Sequence, residues 1–173
     1  MNSLNILIGL LIISAVGYHL GRKRAFSVAG GPSGISTLHS RPTYYGTLTA
    51  LWCGIPAFII FGFWLAFDGT VVTHIVVADL PAEIQKLPEN RLNLVVNDIR
   101  NIVNGNIVSG DIDETMRRAA DHYQRLKNTS RFALAGVIFS LGILILLAVR
   151  SRIAPALRAR NHVESLIKWL LVG

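Results

Sequence analysis

Three long runs without a charged side chain decide what this sequence can fold into. They are Leu4 to Leu20 (17 residues), Tyr44 to Phe67 (24 residues) and Phe132 to Val149 (18 residues). A helix needs about 20 apolar residues to cross the hydrocarbon core of a bilayer, within a range of about 17 to 25. All three runs meet that length. The alternative is three buried helices of a soluble domain, which would need amphipathic partner helices to cover them. Such partners are scarce. Charged residues are 16% of the chain, against about a quarter in an ordinary soluble domain. The sequence therefore predicts an all-α membrane protein with three transmembrane helices. It divides the chain into residues 1–67 (two helices and a basic loop), 68–131 (an outer helical segment), 132–149 (the third helix) and 150–173 (a basic tail leading into a further apolar helix).

The first run lacks the marks of a cleaved signal peptide, which carries positive charge before its apolar stretch. Met1-Asn2-Ser3 has none, and Arg22-Lys23-Arg24 follows the run instead. That order predicts an uncleaved anchor with its N-terminus outside.

The net charge of +7 is distributed very unevenly. Arg22, Lys23, Arg24 and Arg41 follow the first run without an acid, giving +4. Arg150, Arg152, Arg158, Arg160 and Lys168 follow the third with Glu164 alone against them, again +4. Residues 68–131 hold eight basic and nine acidic residues, giving −1. Basic residues gather in the cytoplasmic loops beside membrane helices. The predicted topology is N-terminus and residues 68–131 outside, with both basic segments in the cytoplasm. A nucleic-acid surface would need the charges on one folded face, and they are split between two juxtamembrane segments.

Within the runs, Tyr44, Tyr45, Trp52, Trp64 and Phe67 are placed as interfacial anchors. Gly17 with Gly21, and Gly136 with Ser140, are small pairs four residues apart that allow close helix approach. Pro56 lies inside the second helix and is expected to kink it. In the outer segment, Leu92, Val95, Val96, Ile99, Ile102 and Val103 recur at helical steps, with Pro88 at the start and Gly105 at the stop. A second pattern begins at Asp111, an N-cap candidate with Glu114 three residues on. Its apolar face is Ile112, Met116, Ala119, Ala120 and Tyr123, and it can run through Arg131 into the third membrane helix. The expected object is a helical hairpin linked by residues 104–110, a spacer or a docking surface.

No catalytic, cofactor-binding or metal-binding residue is nominated, and the chain is not expected to be an enzyme. His19, His39, His74, His122 and His162 have no ligand spacing with one another or with a carboxylate. Cys53 stands alone, so neither a disulfide framework nor a thiolate zinc site is available. Gly30-Gly31-Pro32-Ser33-Gly34 lacks the Lys-Ser/Thr of a nucleotide loop and reads as a cytoplasmic turn. Asn128-Thr129-Ser130 matches a glycosylation sequon but abuts the membrane.

The block Leu38-His39-Ser40-Arg41-Pro42-Thr43-Tyr44-Tyr45-Gly46, followed by Ala50-Leu51-Trp52 and Pro56-Ala57, resembles the N-terminal region of the PstC-type permease of the bacterial phosphate ABC importer. The first helix with Gly21 to Ala25 and Gly30-Gly31 is similar to the same region, as is Arg158 to Glu164 leading into Ile167 to Leu171. The resemblance implies the bacterial inner membrane, no cofactor, and partnership with a sister permease, ATPase subunits and a periplasmic phosphate-binding protein. The chain ends at Gly173 within an apolar run, so the transporting core is expected outside it. Its expected role is anchoring, assembly or regulation of phosphate import without forming the pore. Two rival expectations are the input half of a transmembrane signal transducer, with Val163, Leu166, Ile167, Leu170 and Leu171 as a coiled-coil seam, and a small membrane scaffold.

Overall fold

The computed structural model describes residues 3–106 and 113–172. Among the described residues six α-helices follow in order: α1 Ser3–Val28, α2 Pro42–Ala78, α3 Ala82–Gln85, α4 Glu89–Asn104, α5 Glu114–Arg152 and α6 Ala159–Val172. A 3-10 helix, Pro32–Thr37, lies between α1 and α2. No strand occurs among the described residues. The helices α1, α2 and α5 are long and apolar enough to cross a membrane. They contain the three uncharged runs.

Two of these helices outrun their apolar stretches. At 37 and 39 residues, α2 and α5 are about 55 to 60 Å long, far more than the ~30 Å of a hydrocarbon core. The second helix does not end near Phe67 but continues to Ala78. The extension is held by packing, since Val72 and Val76, with Leu80 just beyond the helix end, enter one buried cluster. The side-chain amide of Gln85 then donates to the carbonyls of Ala78 (2.8 Å) and Leu80 (2.6 Å), satisfying acceptors at the end of α2. In α5 the outer pattern and the third run form one uninterrupted helix, as the sequence allows.

The chain divides into two compact units, Met1–Phe61 with Ala135–Gly173, and Gly62–Leu134. In the second unit Ile99 of α4 is buried, packed with Val72, Val76, Leu80, Ala119, Ala120 and Tyr123. Val95, Val103 and Met116 pack against that cluster, so the two expected outer helical faces do meet. Burying an isoleucine side chain contributes roughly 1.5 to 3 kcal/mol. Gly105 adopts φ 72°, the left-handed conformation that closes α4 at its expected stop. Asp111 and Ile112 lie outside the described residues. The cap of α5 comes from Asp113, whose Oδ1 accepts the Met116 backbone N–H at 2.7 Å.

In the first unit α1 and α2 approach backbone to backbone. A Cβ on Gly21 would lie 2.8 Å from the Tyr45 carbonyl oxygen, and one on Gly46 would lie 2.8 Å from that of Tyr18. Gly17 faces Cys53 and the Thr49 carbonyl. The Gly17–Gly21 pair therefore marks a real crossing. The Gly136–Ser140 pair does not, because nothing lies within 4 Å of a Cβ placed on Gly136. On α5 the close approach falls instead at Gly142, beside Ile13 of α1.

Candidate functional site

The block from Leu38 to Gly46 is where the sequence is most distinctive, and nearly every member has a structural task. Leu38 and Tyr44 pack against a buried cluster of Ala25, Tyr45, Leu48, Ile153, Ala159 and Val163. The His39 backbone N–H donates to the Pro155 carbonyl at 3.0 Å. The Ser40 hydroxyl accepts the Arg160 backbone N–H at 3.2 Å, in the first turn of α6, where backbone donors lack intrahelical partners. Pro42 is the first residue of α2, the position where a missing N–H is harmless. Gly46 admits Tyr18.

Tyr45 departs from its expected interfacial role. It is completely buried. Its hydroxyl donates to the Leu157 carbonyl at 2.9 Å and lies 3.4 Å from that of Pro155. A buried phenol needs such a partner. The block is thus a clasp that ties the start of α2 to the segment following α5. Partners sit 110 to 120 positions apart in the chain, so no local periodicity announces them.

Two side chains of the block are left over. His39 and Arg41 point away from the clasp, are exposed, and line a cavity of about 370 Å³ with Ser40, Tyr44 and Arg160. Arg160 Nε is held by Glu164 Oε1 at 2.6 Å. That carboxylate pushes the guanidinium further above its already high range, so it stays charged. Arg41 forms no ion pair among the described residues. The cavity is consequently cationic.

The second unit carries a different polar cluster. The Trp64 indole N–H donates to Ser130 Oγ at 2.7 Å, and the Ser130 hydroxyl donates to Asp68 Oδ1 at 2.5 Å. Lys127 Nζ stands 3.2 Å from Asp68 Oδ2 and 5.7 Å from the Tyr123 ring centre. Asp68 is almost fully buried. Ser130 of the sequon is thereby engaged with Asp68. Nothing local in the sequence pairs Asp68 with a serine 62 positions on.

The remaining residues singled out by sequence are dispersed. His19 packs edge-on against Tyr18, and His122 Nδ1 lies 3.1 Å from Asp79 Oδ2. His74 and His162 are exposed. The Cys53 thiol is buried and directed at the Gly142 carbonyl, 3.8 Å away. The glycine-rich turn places Gly30 and Gly31 at φ 79° and 104°, conformations suited to glycine.

Three hydroxyls inside the spans are turned into their own helices. The Ser14 hydroxyl donates to the Leu10 carbonyl, Thr47 to Thr43 and Thr49 to Tyr45, each four residues back.

A family model described as phosphate ATP-binding cassette transporter matches residues 7–173. No curated protein and no solved structure matches the chain.

Proposed function

The chain belongs to the phosphate ATP-binding cassette transporter family, and from that premise we propose that it is the membrane-anchoring N-terminal region of a permease subunit. In this reading it supports assembly or regulation of ATP-driven phosphate import and does not itself form the pore or catalyse a reaction. The observation that carries the reading is the back-bonding of Ser14, Thr47 and Thr49. A phosphate path needs polar groups that face a shared cavity at membrane depth and replace the ion's water. Here those hydroxyls are already spent on main-chain carbonyls. The partners are a sister permease, ATPase subunits and a periplasmic phosphate-binding protein, in the bacterial inner membrane.

The proposed topology puts the N-terminus and residues 68–131 in the periplasm, with the clasp on the cytoplasmic side, as the +4, −1, +4 charge division asks. Cysteine labelling in a Cys53→Ser background tests it. Asp98→Cys should react with impermeant thiol reagents in cells with a permeabilised outer membrane, and Ser33→Cys should not. The reverse result would overturn the topology. Two further measurements test the role. Liposomes holding residues 1–173 should carry no phosphate flux. Deletion of residues 1–157 from the gene should lower phosphate uptake at low external phosphate. Flux in the first, or normal uptake in the second, would count against the reading.

A further inference from the structure

We propose that the cavity formed by His39, Ser40, Arg41, Tyr44 and Arg160 is a binding site for the phosphate group of an anionic phospholipid. The clasp accounts for the backbone of His39, the hydroxyls of Ser40 and Tyr45, and the packing of Leu38 and Tyr44. It leaves the side chains of His39 and Arg41 unused, and both residues line the same cavity as Arg160. The cavity's volume, about 370 Å³, is that of a small-ligand pocket. Two guanidinium groups and an imidazole around such a space select an oxyanion, because the planar guanidinium forks match phosphate oxygens. Glu164 offsets the charge of Arg160, and the site stays net positive through Arg41. Glu164 takes Nε of Arg160 alone and fixes that side chain in place, while Arg41 has no acidic partner among the described residues.

The choice of a lipid over a free anion rests on where the cavity lies in the chain. Tyr44 lines it and is also the first residue of the second uncharged run. Ile167, Trp169 and Leu170 of α6 are apolar and exposed, as in helices that lie at a bilayer surface. A phosphate held there has its acyl chains beside an apolar surface. Basic pockets at the cytoplasmic ends of membrane helices suit that headgroup chemistry. Ser40, through the α6 cap, couples an occupied cavity to the position of α6.

The test uses the protein purified in detergent from its complete gene. Retention of phosphatidylglycerol and of phosphatidylcholine is read by native mass spectrometry for the wild type and for Arg41→Gln, His39→Gln and Lys23→Gln. Lys23 is exposed and does not line the cavity. The expectation is selective retention of phosphatidylglycerol, weakened about fivefold to tenfold by Arg41→Gln, less by His39→Gln, and unchanged by Lys23→Gln. Thermal unfolding checks that each variant is folded, and His39→Gln carries the test should Arg41→Gln fail to fold. Equal loss in Lys23→Gln would mean a diffuse basic surface and would overturn the site. Equal retention of the two lipids would overturn it as well. Displacement of the lipid by millimolar inorganic phosphate, sensitive to Arg41→Gln, would make free phosphate the ligand and overturn the lipid assignment.

Discussion

In the unit formed by residues 1–61 and 135–173, α1 and α2 cross through glycine, and in the unit 62–134 helices touch through full-sized side chains. At Gly21 and Gly46 the α1–α2 crossing leaves no room for a methyl group. Around Ile99 the contact is made by valine, leucine and tyrosine. Lipid tails are as apolar as leucine, so helices in a bilayer gain little from burying leucine against leucine and must gain from close backbone approach. Where water is the competitor, burial of apolar area itself drives association. In the first unit the hydroxyls of Ser14, Thr47 and Thr49 inside the apolar runs bond back into their own helices, and only in the clasp do those of Tyr45 and Ser40 bond across to the segment after α5. In the second, Arg100 reaches Thr73 and Lys127 reaches Asp68, joining separate helices.

The largest expected effect is Ile99→Asp. It puts an unpaired carboxylate into the buried cluster of the 62–134 unit and should destabilise that unit by about 3 to 5 kcal/mol. Limited proteolysis should then cut within residues 82–106 while α1 stays protected. Unchanged resistance there would break the comparison from the side of the 62–134 unit.

Gly21→Ala tests the other side. Its new methyl group meets the Tyr45 carbonyl and should cost about 1 to 3 kcal/mol, read as a lower unfolding temperature in detergent. Gly136→Ala, which meets nothing, should be neutral or slightly stabilising. Equal effects from the two would mean that glycine matters for the helices and not for their crossing.

Asp68→Asn keeps an oxygen for Ser130 but removes the charge facing Lys127. Lys127 is only about a quarter exposed, and lifting it into solvent limits the loss to about 1 to 2 kcal/mol. The fluorescence of Trp64, bonded to the same serine, should shift with the change. Gly105→Ala forces φ 72° on a residue with a Cβ and should cost about 1 kcal/mol, visible as faster amide exchange at the end of α4.

How far the sequence foretold this molecule follows from the range over which each signal acts. The uncharged runs, the stop at Gly105 and the helical spacing from Leu92 to Val103 are local patterns, and each appears where expected. Gly17 and Gly21 were also legible. Gly136 and Ser140 carried an identical pattern without the contact, because spacing fixes a helix face and not what faces it. The end of α2 was hidden because Asp68 breaks the uncharged run without breaking the helix, its carboxylate being held by Ser130 and Lys127. From its place in the run Tyr45 is expected to be an interfacial anchor. Its real partner is the Leu157 carbonyl, which a side-chain pattern cannot specify. The cationic cavity required the same long-range knowledge, since Arg41 and Arg160 belong to different basic segments.

The bond from Tyr45 to Leu157 also sets a timetable for biogenesis. Its two ends are 112 residues apart, and a ribosome adding about 5 to 20 residues per second needs roughly 6 to 22 s to supply the second. Within that interval α2 is completed while its tyrosine hydroxyl still awaits its final acceptor. Water or lipid headgroups must serve it meanwhile, as they serve tyrosines at membrane interfaces. The clasp can close only after α5 has been made, so it acts as a late checkpoint on insertion. A nascent chain stalled before Leu157 should expose the Leu38–Gly46 segment to protease, and one stalled beyond α6 should shield it.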